Sequence, residues 1–176
     1  MTRSIFKSPA LAALALALAT STMAVAPASA TKTSLNMGMV LQHPHLDPTA
    51  GAPAAIDEVV YSNVFEGLTR IDRNGAVQPG LAESWTVSDD GKTYTFQLRS
   101  GVKFHDGTDF DAEDAKFSLD RARAEGTENA QKALFTGIAT VEVTDPATLV
   151  VALTNPAGNF LFNLGWGDAV MVAPES

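Results

Sequence analysis

Cysteine is absent from the chain, which excludes disulfides as a source of stability and excludes a thiol nucleophile. It also excludes the lipid-modified cysteine that tethers many exported bacterial proteins. Stability has to come from an ordinary apolar core. Basic residues are scarce as well: 12 Lys and Arg stand against 20 Asp and Glu, for a formal net charge of -8, and they form no cluster. An acidic surface argues against nucleic acid and anionic membrane as partners. Catalytic signatures are missing too. There is no Gly-x-Ser-x-Gly elbow, His-Glu-x-x-His helix, phosphate-cradling Walker loop or dinucleotide fingerprint, so no enzymatic activity and no cofactor are expected.

Long apolar runs are lacking except at the start. Ala10 to Ala19 is uninterrupted and apolar, is preceded by Arg3 and Lys7, and has no acidic residue near it. That charge order is the one a translocon reads in a secretory signal peptide. The run is about half of the ~20 residues needed to span a bilayer, which disfavours a membrane anchor. Small residues at Ala28-Ser29-Ala30 suit signal peptidase, placing cleavage between Ala30 and Thr31. Ala24-Val25-Ala26 is a weaker site because Pro27 would follow the cut. Removing residues 1–30 takes away Arg3 and Lys7 and moves the formal charge from -8 to -10. The mature chain, exported and without a lipid anchor, is expected to diffuse freely in the periplasm of a bacterium with two membranes.

Residues 31–176 have the length of one domain, with no repeats and no linker-like stretch. Ser34 to Leu41 reads as a short strand, and the two prolines of His43-Pro44-His45-Leu46-Asp47-Pro48 force a loop after it. From Pro53, Ile56, Val59, Val60 and Val64 recur at helical spacing, with Gly67 as the stop. Leu68 to Asp72 reads as a strand. Two longer strands meet at Ser88-Asp89-Asp90-Gly91, where Asp-Gly supplies the turn. Tyr94, Phe96 and Leu98 alternate with polar residues on the second of these, and Trp85 and Val87 sit two apart on the first.

Asp111 with Asp114 resembles a capping box ahead of a helix whose buried side is Ala112, Ala115, Leu119 and Ala122, with Gly126 at its end. Val141 and Val143 face Leu149, Val151 and Leu153 across a second turn at Asp145-Pro146-Ala147-Thr148. Phe160 to Leu164 reads as one or two helical turns, and Ala169 to Ala173 as a last apolar strand. The class is α/β, with prominent antiparallel pairing.

Three features suggest sites. His43, His45 and Asp47 alternate, so in an extended segment they would point one way and could hold nickel or zinc; the competing reading is a proline-stiffened solvated loop. Asp106, Asp109, Asp111, Glu113 and Asp114 crowd together, but Gly107 is misplaced for a calcium loop and a turn plus helix cap accounts for them. Of the two tryptophans, Trp85 lies in an alternating strand and is assigned to the core. Trp166, between Gly165 and Gly167, is the better candidate for a ligand cleft.

Four blocks, read in order, resemble one family. They are Val64-Phe65-Glu66-Gly67-Leu68, Pro79-Gly80-Leu81-Ala82-Glu83-Ser84-Trp85, Asp90-Gly91-Lys92-Thr93-Tyr94-Thr95-Phe96 and Leu98-Arg99-Ser100-Gly101-Val102-Lys103-Phe104-His105-Asp106-Gly107. The later hairpin and Asn155-Pro156 continue the match. The family is the extracytoplasmic solute-binding proteins of peptide and nickel ABC importers, the oligopeptide- and dipeptide-binding type, family 5. The resemblance implies a type II periplasmic-binding-protein fold of two lobes. This chain would supply the N-terminal mixed-sheet portion, roughly the first third, with β-hairpins and flanking helices. It implies peptide capture and delivery to the permease subunits of an importer in the inner membrane by a monomer, without chemistry on the ligand. A nickel or metal-chelate binder of the same family is the alternative, and a secreted hydrolase fragment is a second.

The family's acid for a peptide's amino terminus lies in a part not present here. Two segments match regions that border its cleft: Thr49, Ala50, Gly51 and Ala52, where backbone groups would meet an extended peptide, and Gly165, Trp166, Gly167 and Asp168. The conspicuous blocks themselves are better explained as fold determinants.

Overall fold

The structure is a computed structural model that describes residues 34, 36, 38, 45–51 and 54–174. Contacts divide the chain after Gly38. Of the first unit only Ser34, Asn36 and Gly38 are described, exposed and in no strand. The signal segment, its Ala30–Thr31 cleavage site, the rest of the 34–41 segment, His43 and Ala52 lie outside the described residues. The second unit, residues 39–176, carries all of the regular secondary structure among the described residues.

Helix α1 (Ala54–Val60) leads to a small hairpin of β1 (Thr69–Ile71) and β2 (Val77–Pro79). Strands β3 (Ala82–Val87) and β4 (Thr93–Leu98) form the next hairpin, helix α2 (Ala112–Arg123) comes after it, and β5 (Ile138–Asp145) and β6 (Thr148–Leu153) form the third. The last two hairpins merge into one antiparallel sheet of order β3-β4-β6-β5. A single turn, α3 (Phe160–Asn163), then leads into the final segment. Both expected hairpins are present because each signal is local: Gly91 takes a φ of 69° in the first turn, and Asp145 Oδ1 accepts the Ala147 amide at 2.9 Å in the second.

The alternation on β4 holds, with Tyr94, Phe96 and Leu98 buried. Phe96 faces Leu149 and Tyr94 faces Val151 across β6. Phe96, Leu149 and Val151 are wholly buried, each contributing on the order of 2 kcal/mol. Helix α2 lies against β5 and β6, burying Ala112, Ala115, Leu119 and Ala122 as the spacing predicts. Its capping box is complete: Asp111 Oδ1 accepts the Glu113 amide at 2.8 Å, and Asp114 Oδ2 accepts the Asp111 amide at 2.9 Å.

Four expectations need correction. Helix α1 stops at Val60 and does not run on to Gly67. The Val60 carbonyl accepts amides from Asn63, Val64 and Phe65, Ser62 turns to a φ of 59°, and Val64 is exposed. Helix α2 ends earlier than Gly126, because Ala124 leaves the helical region at φ -54°, ψ 152°. Val87 is exposed, whereas Trp85, half-buried, packs on the core as expected, its ring 6.5 Å from Phe96. The reason for the exposure is position: β3 is an edge strand, and α2 covers the other end of the sheet, at β5 and β6. The segment Ala169 to Ala173 is buried and makes a single bridge, Val170 to Gly67. Its amides go elsewhere, Met171 to the Glu66 carbonyl at 2.9 Å and Val172 to Ser118 Oγ at 2.9 Å.

Two of the family-like blocks explain themselves at the point where Gly67 and Gly80 meet. A Cβ on Gly80 would lie 2.5 Å from the Gly67 carbonyl oxygen, and one on Gly67 would lie 2.8 Å from that of Leu164. Only glycine permits backbones to approach this closely.

Candidate functional site

The loop at residues 45–51 is tied to α2 by polar contacts. Asp47 Oδ1 accepts the Thr49 amide at 2.8 Å and its hydroxyl at 2.6 Å. Arg121 donates to Thr49 Oγ1 at 2.8 Å and to Asp47 Oδ2 at 3.3 Å. Burial alone would raise the Asp47 carboxyl, but the Thr49 groups and the Arg121 guanidinium together hold it below its ordinary value. The loop's amides are spent internally: Ala50 donates to the Asp47 carbonyl at 3.4 Å and Gly51 to that of Glu128 at 2.9 Å. Gly51 also forms a parallel bridge with Asn129.

Asn129 connects this loop to the second candidate segment. It is buried, its side-chain oxygen accepts the Gln131 amide at 2.9 Å, and its Nδ2 donates to the Asp168 carbonyl at 2.9 Å. Thr49 to Gly51 and Gly165 to Asp168, more than a hundred residues apart, are thus held through one intervening side chain. Nothing in the local sequence marks Asn129 for this role, since its partner lies 39 residues ahead.

The second segment rests on α1. The Tyr61 hydroxyl, one residue beyond that helix, donates to the Gly165 carbonyl. Gly165 and Gly167 are buried, and a Cβ on Gly167 would lie 2.6 Å from Asp57 Oδ1. Trp166 projects outward, 44 % exposed, with its ring 6.4 Å from Phe162 in an edge-to-face contact. Asp168 is 6 % exposed. Burial first, and the neighbouring Asp57 charge second, push its carboxyl up to about 6. Burial raises Asp57 as well. Asp57 carried no sequence signal beyond a polar position on a helix.

Among the described residues no group of three or more His, Cys, Asp and Glu is placed to hold a metal ion. His45 is exposed, and the Asp47 carboxylate is taken by Thr49 and Arg121. The acidic crowd at 106–114 serves turns and caps: Asp106 Oδ1 accepts the Thr108 amide at 2.8 Å, Asp109 pairs with Lys103, and Asp111 caps α2. A cavity of about 500 Å³ lies away from both candidate segments. Its walls include Val64, Phe65, Val102, Phe104, Phe110 and Met171. Apolar side chains make up most of it, with Ser62, Asn63, Glu66, Lys103, His105 and Asp106 also on its walls; the polar cluster around Asn129 and Asp168 is taken as the candidate because it joins the two segments that the resemblance singles out.

Residues 76–172 match the model of the bacterial extracellular solute-binding proteins, family 5, middle part. The chain belongs to this family. The family-5 chain is 40 % identical over 131 residues to the glutathione-binding protein GsiB of Salmonella paratyphi A, covering 74 % of this chain and 25 % of that protein. It therefore spans about a quarter of the length of the curated relatives it matches.

Among solved structures, it is similar to NikZ from Campylobacter jejuni in complex with Ni(L-His), at TM-score 0.67 and 31 % identity, over 77 % of this chain and 26 % of that one. It is also similar to OppA from Haemophilus influenzae in complex with the peptide RPPGFSPFR, at TM-score 0.68 and 26 % identity, over 74 % of this chain and 28 % of that one. The fold is accordingly that of part of a type II periplasmic binding protein, with mixed antiparallel sheets and few helices. The family and these relatives are transport binding proteins rather than enzymes. No helix among the described residues is long and apolar enough to cross a membrane.

Proposed function

We propose that this family-5 chain is part of the substrate-binding component of an ABC importer that captures peptides in the periplasm and delivers them to permease subunits in the inner membrane. The observation that carries this reading is the family match over residues 76–172 together with relatives whose names state glutathione and an oligopeptide as ligands. Glutathione is itself a three-residue peptide, so the two share amide and terminal-charge chemistry. The site proposed is the pair of segments joined by Asn129: Thr49, Ala50 and Gly51, with Ala52 beyond them, and Gly165, Trp166, Gly167 and Asp168. The protein acts as a monomer, binds no nucleic acid and does no chemistry on its ligand. Residues 1–30 direct export, with cleavage between Ala30 and Thr31.

Likeness to NikZ keeps a nickel or metal-chelate binder as the second reading, with His43 and His45 as its ligands. Calorimetry on the natural gene product separates the two. The expected result is saturable binding of tripeptides that persists when both histidines are replaced by alanine. Binding of nickel–histidine but of no peptide would overturn the first reading in favour of the second. Hydrolysis of the peptides would overturn both.

A further inference from the structure

Among the described residues, Asp57 and Asp168 form an acidic pair that no cation joins. Asp57 comes from α1, and its carboxylate lies directly over the Gly167 backbone. Asp168 comes one residue later and is 6 % exposed. Burial and the Asp57 charge oppose ionisation of Asp168, and burial opposes that of Asp57. Among the described residues, neither enters an ion pair, and no other residue's side chain donates a hydrogen bond to either carboxylate. Two neighbouring side-chain donors are committed elsewhere. The Tyr61 hydroxyl goes to the Gly165 carbonyl, and the Asn129 amide goes to the Asp168 carbonyl. Arg70, whose charge reaches the Tyr61 hydroxyl, has its Nε on the Pro79 carbonyl at 3.1 Å.

Burying a carboxylate beside a second one is costly unless a cation compensates. Here the chain brings both acids to one place, pairs neither with a cation among the described residues, and has at Gly167 no side chain to collide with the Asp57 carboxylate. Trp166, exposed beside them and steadied by Phe162, offers an aromatic face of the kind that attracts ammonium and guanidinium groups. Two carboxylates fall short of the six to eight oxygens that calcium takes, whereas one monovalent group with several N–H donors suits them.

We propose that Asp57 and Asp168, with Trp166 alongside, form a subsite for a positively charged side chain of the bound peptide, a primary ammonium or a guanidinium. The proposal rests on the peptide-capture reading and adds a charge preference to it. The carboxylates compensate the cation, the cation relieves their mutual repulsion, and the Trp166 ring covers the aliphatic stem. Gly167 is required because any side chain there would push the Asp57 carboxylate away.

The test is calorimetry on the natural gene product with Lys-Ala-Ala, Ala-Lys-Ala and Ala-Ala-Lys, each against its norleucine counterpart, which keeps the chain length and lacks the charge. The expected result is at least tenfold tighter binding of one lysine peptide than of its counterpart. In D57N and D168N variants that preference, read as the ratio of the lysine-peptide to the norleucine-peptide affinity within each variant, falls to within twofold. Equal affinity for every lysine and norleucine pair in the wild-type protein overturns the subsite and leaves peptide capture standing. Binding of none of the six peptides overturns both. A preference that survives in folded D57N/D168N protein places the cation elsewhere and also overturns the proposal. Because the first comparison needs no variant, a substitution that fails to fold does not shield it. Calcium binding that disappears in the same variants would replace the peptide cation with a metal.

Discussion

The Asn129 side chain donates to the Asp168 backbone carbonyl at 2.9 Å while its own oxygen accepts the Gln131 amide at 2.9 Å. The first contact is buried and the second partly so, so replacing Asn129 by alanine leaves a buried carbonyl and a half-buried amide without these partners. N129A is expected to destabilise the protein by about 1–3 kcal/mol and to raise amide exchange around Gly167 and Asp168. Urea unfolding and hydrogen exchange measure the two effects. Unchanged exchange at 165–168 would show that Asn129 does not hold that segment.

Gly167→Ala places a methyl group against the Asp57 carboxylate, 2.6 Å from Oδ1. That carboxylate ends a short side chain that can swing aside, so the stability loss is expected at the low end of the ~1–3 kcal/mol typical of overpacking. The lysine preference in calorimetry should fall further than the melting temperature suggests. Adding D57A to G167A should recover the stability and leave the preference absent.

Asp168 makes stability depend on pH. Its carboxyl lies at about 6 in the folded chain against an ordinary 3.8, so the folded state holds the proton more tightly than the unfolded one. The stabilisation is full below pH 3.8, is lost as pH rises through about 6, and is gone above that. The groups facing this carboxyl are Asp57 from α1, which raises it further, and its own backbone amide. Tyr61, from the same helix end, and Arg70, from β1, complete the local charge set. Discounted for the solvent that reaches the group, the change amounts to about 1–2 kcal/mol. D168N should flatten the stability profile between pH 4 and 6.5. An identical slope in D168N would assign the titration to another group. Lysine-peptide affinity should move in the opposite sense, weakening below pH 6 as the pair takes up a proton.

Asp111→Ala removes the side-chain half of the α2 capping box, losing the 2.8 Å bond to the Glu113 amide. The expected loss is about 1 kcal/mol. D111N, which keeps an oxygen acceptor, should recover most of it in the same denaturation experiment. If the two variants are equally unstable, the acid acts through its charge at the helix start and not through the cap.

What could be read in advance tracks how local each cause is. The Asp90-Gly91 turn, the alternation of Tyr94, Phe96 and Leu98, and the Asp111–Asp114 cap are each set by residues within a few positions of one another, and each was legible. The extent of α1 was not. Val64 has helical spacing, but the carbonyl of Val60 collects three amides and closes the helix first. Trp85 and Val87 alternate as a core strand would, yet Val87 is exposed because β3 lies at an edge of the sheet, which depends on how the later hairpin docks. Of the candidate site, resemblance pointed to Gly165, Trp166, Gly167 and Asp168. Asp57 and Asn129 carried no local pattern.

By itself, then, the amino-acid order determined the hairpins, the main helix with its cap, the acidic cysteine-free character and the family. Periodicity, turn chemistry and the four linked blocks act over short stretches of chain and need no partner from afar. Tertiary structure alone decided which strand stands at the edge and why Ala169 to Ala173 is buried without being a strand. It also decided that Asp57, Asn129 and Asp168 meet. Their contacts join residues 39 and more positions apart, and such pairings exist only once the sheet, α1 and the 165–168 turn have closed around one core.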